Sequence, residues 1–432
     1  MMGPYMSPMP IGASIAMLLS LFVALTVTPY LGYHLLKVKD EKEHQEEQGL
    51  ETGFIYKWYK KIEQPFLDSS KKRWVMLGIT GVLLVISMLA FFTKWVAVKM
   101  LPFDNKNEIQ VVIDMPEGTT LEKTSVVAKE VSQYLRTVPE VVNYQNYVGA
   151  SSPITFNGLV RHYDMRGASN TADIQVNLLE KGERSKQSHD VAKTIRPEIQ
   201  KIARKFGANI KIVEVPPGPP VLSTIVAEVY GPDYDEQIRI ADEVQKILIN
   251  TEDVVDVDWM VEAPQGEFKI IPDKEKSMLN GIAPQQLVGN LNYLLGEYPV
   301  STLYDEKSSQ PVNMVMKLEN SEKSTIQDIT ALKVKGAAGN MMPVSDVVKI
   351  ERGTLEKSIY RKDQKRVVYV LADMAGELES PAYAILGMEE KLNKIKLPAG
   401  YKINELYMAQ PKDESDYTVK WDGEWQITLE VF

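Results

Sequence analysis

The sequence contains no cysteine, which excludes disulfide bonds, cysteine-ligated zinc and thiol nucleophiles. Basic residues are also too few for a nucleic-acid surface, because 49 Lys and Arg stand against 58 Asp and Glu and the formal net charge is −9. Contacts to phosphates require clustered positive charge. We therefore expect no nucleic acid among the partners of this chain.

Motifs that carry chemistry are equally scarce. The histidines show no metal-ligand spacing and lie far apart, at His34, His44, His162 and His189. Phosphate-binding, dinucleotide-binding and serine-nucleophile motifs are absent from the sequence. Asp256 and Asp258 share one face of a predicted strand, a spacing more typical of a solvated edge than of an acid–base pair. We predict a protein that is not an enzyme, with no catalytic residue, cofactor or metal site.

Methionine is the one residue type in this sequence that is suited to binding a soft metal ion, so such a site is an alternative. The methionines concerned are Met314, Met316, Met341 and Met342. Methionine is also a common filler of hydrophobic cores, and we favour that interpretation.

Two long stretches, residues 11–36 and 74–93, contain no Asp, Glu, Lys or Arg. Twenty helical residues extend roughly 30 Å, the thickness of the hydrocarbon core of a bilayer. We predict transmembrane helices within residues 1–36 and 74–94. The alternatives are a secretory signal peptide for the first stretch and a buried core helix for the second.

Basic residues lie on the inner sides of the two predicted spans. Lys37, Lys39 and Lys42 follow the first span, and Lys71–Arg73 precede the second. Positive charge marks the cytoplasmic side of a membrane protein, so we expect residues 37–73 to form a cytoplasmic loop.

This loop contains an apolar stripe at helical spacing, formed by Phe54, Ile55, Trp58, Tyr59 and Ile62. Interleaved lysines favour a helix in the membrane interface that ends at Pro65. A short helix packed on a neighbouring domain is an equal alternative.

Beyond the second span, the order strand, helix, strand occurs four times. The predicted strands alternate apolar and polar residues, and the predicted helices carry one apolar stripe. The four copies cover residues 109–148, 172–215, 224–261 and 367–406. Capping boxes at Thr119–Glu122 and Asp233–Glu236 mark the starts of two helices. The predicted fold class is α+β: two transmembrane helices with ferredoxin-like βαβ repeats.

Two interruptions divide these copies into lobes. Pro216–Pro220 cannot continue a strand ladder and separates the first pair from the second. We expect a first lobe at 95–222, a second lobe at 223–272 with 361–410, and an inserted α+β lobe at 273–360. Residues 411–432 are expected to lead into a further membrane helix.

Several motifs, in their order along the chain, resemble the middle of a resistance-nodulation-division efflux permease of the acriflavine and multidrug-resistance type. The motifs are the two spans, Leu101-Pro102-Phe103-Asp104 and Met115-Pro116-Glu117-Gly118-Thr119-Thr120. Asp273-Lys274-Glu275-Lys276, Gly281-Ile282 and the segment from Gly339 to Val347 resemble the docking lobe of that family. The resemblance runs from the sixth membrane helix of the family through its C-terminal periplasmic porter and docking region.

The resemblance implies a proton-driven exporter of drugs, solutes or soft metal ions across the Gram-negative envelope. It implies a homotrimer in the bacterial inner membrane, with residues 95–432 in the periplasm, working with a periplasmic adaptor protein and an outer-membrane channel. It also implies a substrate cleft between the porter lobes, to which Tyr144, Tyr147 and Phe156 correspond best. Aromatic faces bind apolar and cationic molecules, although these side chains can equally pack a sheet face.

The chain departs from the family pattern in its membrane segments. Neither span carries an ionisable residue at membrane depth, whereas a proton relay requires one. The sequence ends at Glu430–Phe432, where the family would enter its eighth span. We therefore expect a fragment that does not transport by itself. The alternative is a membrane-anchored periplasmic module for interaction and assembly.

Overall fold

A computed structural model of the protein describes residues 7–35, 54–92, 95, 103–215, 221–398 and 400–431. Its contacts divide the chain into two compact units, Met1–Val261 with Ile359–Phe432, and Glu262–Ser358. Each unit is described by itself. The charged linker before residue 54 and the proline-rich connector at 216–220 lie outside the described residues.

Two helical segments are long and apolar enough to cross a membrane. The first combines α1 (Pro8–Phe22), a π-helical turn (Val23–Val27) and α2 (Thr28–Leu35), and the second is α4 (Ser70–Phe92). Their mean hydropathies are 2.2 and 1.9, and neither is buried within the protein. This exposure excludes the alternative of a buried core helix for the second stretch. Pro29 lies two residues after the π turn and has no N–H to donate to the preceding turn.

A third helix, α3 (Phe54–Asp68), precedes α4 and matches the predicted amphipathic helix. The prediction that Pro65 ends it was wrong, because the helix continues for three more residues. Pro65 removes one backbone hydrogen bond, but Phe66 extends the apolar stripe beyond it, and both Phe66 and Met76 of α4 line one groove.

The first lobe is a four-stranded antiparallel sheet with helices on one face. Its strands are β1 (Glu108–Asp114), β2 (Val141–Val148), β3 (Thr171–Leu178) and β4 (Asn209–Val213), in the order β2-β3-β1-β4. Helix α5 (Leu121–Leu135) joins β1 to β2, and α7 (Ser188–Phe206) joins β3 to β4. A short helix, α6 (Phe156–Arg161), lies between β2 and β3. Both predicted strand–helix–strand copies are therefore present.

The core of this lobe lies between the sheet and the two long helices. Ile113 of β1, Val131 of α5 and Ile195 of α7 are each 0% exposed, as the apolar stripes predict. The capping box at Thr119–Glu122 was wrong. Helix α5 begins after Thr120 without a side-chain cap, because the Thr119 hydroxyl donates instead to the Pro116 carbonyl at 2.6 Å.

The second lobe is a five-stranded sheet that also carries helices on one face. Its strands are β5 (Ile225–Tyr230), β6 (Val254–Trp259), β15 (Val368–Met374), β16 (Asn404–Leu406) and β17 (Thr418–Gly423), in the order β16-β17-β5-β15-β6. A short hairpin, β13 (Arg361–Lys362) with β14 (Lys365–Arg366), precedes β15. Helices α8 (Tyr234–Ile249) and α12 (Pro381–Leu392) follow β5 and β15. The predicted cap of α8 is confirmed, since the Asp233 carboxylate accepts from the Glu236 N–H at 2.8 Å.

Strand β17 was not predicted, because residues 411–432 were expected only to lead into a membrane helix. It lies between β5 and β16 and is followed by α13 (Glu424–Val431). Trp421 is completely buried in the core, and Lys420, on the opposite face, is 0% exposed beside Glu228 at 3.6 Å. The alternating charges in this segment indicate a solvated face, whereas the fold buries them as ion pairs.

The second unit contains three short helices and three two-stranded ladders. Its helices are α9 (Lys274–Leu279), α10 (Pro284–Leu295) and α11 (Ile326–Ala331). Its ladders are β7 (Gly266–Pro272) with β12 (Val348–Thr354), β8 (Tyr298–Leu303) with β9 (Val312–Met316), and β10 (Lys333–Lys335) with β11 (Met341–Pro343). Strand β7 belongs to this unit because it pairs with β12 along its whole length, although we expected it in the second lobe.

The methionines of this unit are placed differently from our prediction. Met314, Met316 and Met341 are 46–57% exposed, so the core-filling interpretation was wrong for them. Met342 packs partly against the small core of the unit.

Candidate functional site

The three aromatic residues implied as substrate contacts lie at different places in the first lobe. Tyr144 is opposite Val176 on β3 and packs against the core, so it faces the helices. Tyr147 is three residues further along β2 and faces the other side of the sheet, because successive strand residues alternate. Its hydroxyl donates to Oε1 of Gln145 at 2.6 Å.

Phe156 lies at the first position of α6, where it is 49% exposed. The helix starts there because the Thr155 hydroxyl accepts from the Gly158 N–H at 3.1 Å. Phe156 lines a shallow, open cleft together with polar side chains of the same sheet face, including Gln110 and Gln175. Tyr144 and Tyr147 do not line this cleft, so the structure brings only one of the three residues to it.

The other end of α6 contacts the second lobe. Arg161, the last residue of the helix, donates to both carboxylate oxygens of Asp373 on β15, at 2.8 and 3.2 Å. The two side chains are only 9% and 12% exposed. A bidentate, buried pair of this kind fixes orientation as well as distance. One six-residue helix therefore joins the cleft of the first lobe to the sheet of the second.

Asp373 is the most heavily hydrogen-bonded carboxylate at this contact. Besides Arg161, it accepts from the Ser223 hydroxyl at 2.7 Å and from the Thr224 N–H and hydroxyl, each at 3.0 Å. Burial by itself raises the pKa of Asp373, but Arg161 and these donors outweigh it and hold the pKa well below its usual range. Asp373 is therefore a permanent anion at physiological pH.

A histidine forms a second bridge between the lobes. His189 of α7 lies between Glu214 of its own lobe, at 2.7 Å from Nδ1, and Glu379 of the second lobe, at 2.9 Å from Nε2. Phe103 stacks on the imidazole at 4.0 Å, and Lys193 donates to Glu379 at 2.6 Å. Two carboxylate neighbours require both ring nitrogens to donate, which only imidazolium can do. Although burial lowers the pKa of His189, the two carboxylates raise it overall.

Strands β4 and β6 bring further ion pairs to the boundary between the lobes. Lys211 of β4 pairs with Asp258 of β6 and with Asp114 of β1, the latter at 2.7 Å. Arg196 of α7 pairs with Asp256, which also accepts from the Ile212 N–H at 3.0 Å. The interpretation of Asp256 and Asp258 as a solvated edge was wrong, because the strand that carries them packs against the first lobe.

Glu424, the first residue of α13, lies beside these contacts. It lines a small cavity of about 20 Å³ with Arg161, Arg196 and Asp373, and it is 5% exposed. Burial and the neighbouring Asp373 carboxylate raise the pKa of Glu424 to about 8. The carboxyl group therefore holds a proton at pH 7, close to the Arg161–Asp373 ion pair.

Sequence reasoning missed Arg161, His189, Asp373 and Glu424 as functional candidates. None of them belongs to a recognisable motif, and the partners that matter lie far away in sequence; Arg161 and Asp373 are 212 residues apart. Over the described ranges, His, Asp and Glu side chains form no group of three suited to a metal ion.

Comparison with known proteins places these features in a family. Residues 1–421 match the AcrB/AcrD/AcrF family. The swarming motility protein SwrC of Bacillus subtilis is 21% identical over 416 residues, covering 93% of this chain and 36% of that protein. The multidrug resistance protein MdtC of Photorhabdus laumondii is 21% identical over 338 residues, covering 76% and 30%.

Solved structures show the same fold. A crystal structure of a heavy metal efflux pump (crystal form II) superposes with a TM-score of 0.65 at 17% identity, covering 88% of this chain and 37% of that one. A second crystal form gives a TM-score of 0.62 at 19% identity, covering 82% and 34%. The chain thus spans about a third of the length of the relatives that it matches.

Proposed function

Because the chain belongs to the AcrB/AcrD/AcrF family of resistance-nodulation-division efflux permeases, we propose that it forms the substrate-binding part of a proton-driven exporter of small molecules. In this proposal α1–α2 and α4 cross the bacterial inner membrane, and residues 95–432 lie in the periplasm. The basic residues Lys71–Arg73 at the start of α4 support that orientation.

The two lobes are, in this proposal, ferredoxin-like porter subdomains. The first sheet supports this, since two strand–helix–strand repeats interlock in the order β2-β3-β1-β4. The second sheet has the equivalent order with β17 inserted beside β5. The unit Glu262–Ser358 corresponds to the docking lobe.

The observation that carries the proposal is the position of α6. Phe156 lines the cleft of the first lobe at one end of this helix, and Arg161 binds Asp373 of the second lobe at the other. A ligand that moves α6 therefore changes the contact between the lobes, and an exporter must couple binding to such a rearrangement. Phe156 contacts the substrate directly, whereas Tyr147 lies on the same sheet face outside the cleft. Tyr144 supports the sheet from its helix side.

The wider assembly follows from the family as a proposal. The full-length permease forms a homotrimer and works with a periplasmic adaptor protein and an outer-membrane channel. The proton relay lies in other parts of that full-length protein, because the two spans here, residues 11–36 and 74–93, contain no Asp, Glu, Lys or Arg. This chain alone binds substrate without exporting it, and proton-coupled export from proteoliposomes that contain only this chain would contradict that statement.

A thermal-shift experiment on the full chain in detergent tests substrate binding. Rhodamine 6G represents cationic aromatic drugs and Ag(I) represents soft metals. Ligands that bind only the folded state raise its melting temperature, so we expect one of the two probes to do so. Phe156→Ala should reduce a dye-induced shift. Leu159→Ala is the matched control, because Leu159 lies on the same helix, is 56% exposed and does not line the cleft.

The second candidate is a membrane-anchored interaction module without transport activity. It is favoured by the ribbon β8–β9, whose residues Val300, Val315 and Met316 are 46–55% exposed. If neither probe raises the melting temperature and Phe156→Ala has no effect on either, the interaction module becomes the better proposal.

A further inference from the structure

The groove between α3 and α4 is an open apolar cleft with a volume of about 480 Å³. Its lining consists of Met76 from α4 and, from α3, one charged residue, Glu63, with the apolar and aromatic residues Phe54, Trp58, Tyr59, Ile62 and Phe66. Pockets of this volume accommodate small organic ligands and hydrocarbon chains. The groove belongs to neither the aromatic cleft nor the contacts between the lobes.

The lining residues are exposed in the described structure. Phe54 is 80% exposed, Trp58 63% and Ile62 48%. Phe54, Trp58, Ile62 and Phe66 recur at every fourth position, so they form one continuous stripe along α3. Soluble surfaces rarely carry apolar patches of this size without a partner, and α4 beside it is one of the helices suited to a bilayer.

The charges around the groove are strongly basic. Residues 54–73 contain six basic and two acidic side chains. Three of the basic residues, Lys71, Lys72 and Arg73, form the first turn of α4 and are exposed. The other three, Lys57, Lys60 and Lys61, lie on α3 between the residues of the apolar stripe in sequence and are also exposed. An apolar groove with a basic rim matches the chemistry of an anionic phospholipid, which has an acyl chain and a phosphate.

We propose that the α3–α4 groove binds one anionic phospholipid. The acyl chain lies along Trp58, Ile62 and Phe66, and the headgroup phosphate contacts the basic turn Lys71–Arg73. This site holds α3 flat in the membrane interface beside the start of α4. The inference depends on α4 lying in a membrane and is independent of transport, so it stands or falls separately from the binding of dyes or Ag(I).

Quenching of Trp58 fluorescence by brominated lipids tests the site. The full chain is reconstituted into nanodiscs that contain a small, increasing fraction of brominated phosphatidylglycerol or brominated phosphatidylcholine. The chain has six tryptophans, so the Trp58 signal is obtained as the difference between the wild type and Trp58→Phe. We expect half-maximal quenching at a phosphatidylglycerol fraction about tenfold lower than for phosphatidylcholine.

Charge variants identify the headgroup contact. The triple variant Lys71→Gln, Lys72→Gln, Arg73→Gln should remove the preference for phosphatidylglycerol while brominated lipid still quenches Trp58. The matched control is Lys391→Gln, Lys394→Gln, Lys396→Gln, which removes three exposed charges from the second lobe and should leave the preference unchanged. Native mass spectrometry of the wild type, with one phosphatidylglycerol retained per chain, provides evidence that does not depend on the folding of a variant.

Two outcomes would overturn the proposal. Equal quenching by both lipids would mean that the groove contacts bulk lipid without selecting a headgroup. Absence of Trp58 quenching by either lipid would mean that another segment of the chain, or another helix, covers the groove.

Discussion

Removing Arg161 should weaken the contact between the two lobes by a predictable amount. Its guanidinium and the Asp373 carboxylate form a bidentate pair that is almost completely buried. Removing one partner of a buried ion pair costs about 3–5 kcal/mol, because the remaining charge is left uncompensated. Asp373 keeps three donors from Ser223 and Thr224, so Arg161→Met should lie near the lower limit, at about 3 kcal/mol.

The assay is thermal unfolding of the full chain in detergent, followed by intrinsic tryptophan fluorescence. In a domain of 150–250 residues, 1 kcal/mol shifts the melting temperature by roughly 2–4 °C, so we expect a decrease of about 6–12 °C. Asp373→Asn completes a double-mutant cycle. The double variant should lose about 2 kcal/mol less free energy of unfolding than the sum of the losses in the two single variants, because the two side chains interact directly.

Lys201→Met is the control for loss of charge on the first lobe. Lys201 and Glu198 form a pair that is 63% and 48% exposed, and such surface pairs contribute less than about 1 kcal/mol. Two results would refute the reasoning. One is an Arg161→Met shift no larger than that of Lys201→Met, and the other is a cycle in which the single effects simply add.

Three further predictions concern pH and backbone geometry. The carboxylates around His189 raise the pKa of its imidazole in the folded state. The contribution of His189 to the free energy of unfolding is therefore complete below its unfolded pKa of about 6.5, and it is lost as the pH rises through its folded pKa. Unfolding measured from pH 5 to 9 should show this decline in the wild type and a weaker decline in His189→Gln; identical profiles would contradict the bridge. The pKa of Glu424 is raised to about 8 in the folded state. Between about pH 4.5 and pH 8 the folded state therefore holds a proton that the unfolded state has released, and the free energy of unfolding falls as the pH rises. Glu424→Gln should remove that part of the profile, and an unchanged slope would show that Glu424 is ionised in the fold. A Cβ on Gly376 would overlap the Asp253 carboxylate, whereas one on Gly387 in α12 would meet nothing within 4 Å. Chemical denaturation should therefore show Gly376→Ala to be destabilising and Gly387→Ala to be stabilising by about 0.5–1 kcal/mol; equal effects would refute the steric argument.

Several elements were predictable because their signals are local. Helix α5 and strands β1 and β3 follow from apolar spacings of 3.6 and 2 within single segments. Asp233 caps α8 as predicted, since donor and acceptor are three residues apart. The placement of Tyr144 and Tyr147 also follows from a local rule. They are three positions apart on one strand, and an odd spacing on a strand places two side chains on opposite faces of the sheet.

Other elements could not be predicted, because their stability comes from distant residues. Strand β17 carries Lys420 and Asp422, charges that indicate a surface, yet Lys362 and Glu228 neutralise them within the fold. The predicted cap of α5 failed for a different, local reason. The Thr119 hydroxyl donates to the Pro116 carbonyl, three residues back, so one short-range hydrogen bond replaces another.

The sequence alone determined that this protein has two helices suited to a membrane and lobes built from repeated strand–helix–strand segments, because length, hydropathy and periodicity are properties of neighbouring residues. Only the tertiary structure decided which charges meet. Arg161 reaches Asp373 across 212 residues and His189 reaches Glu379 across 190. Pairing of this kind depends on how two complete lobes pack, and burial then gives these groups the hydrogen bonds and shifted pKa values that isolated residues lack.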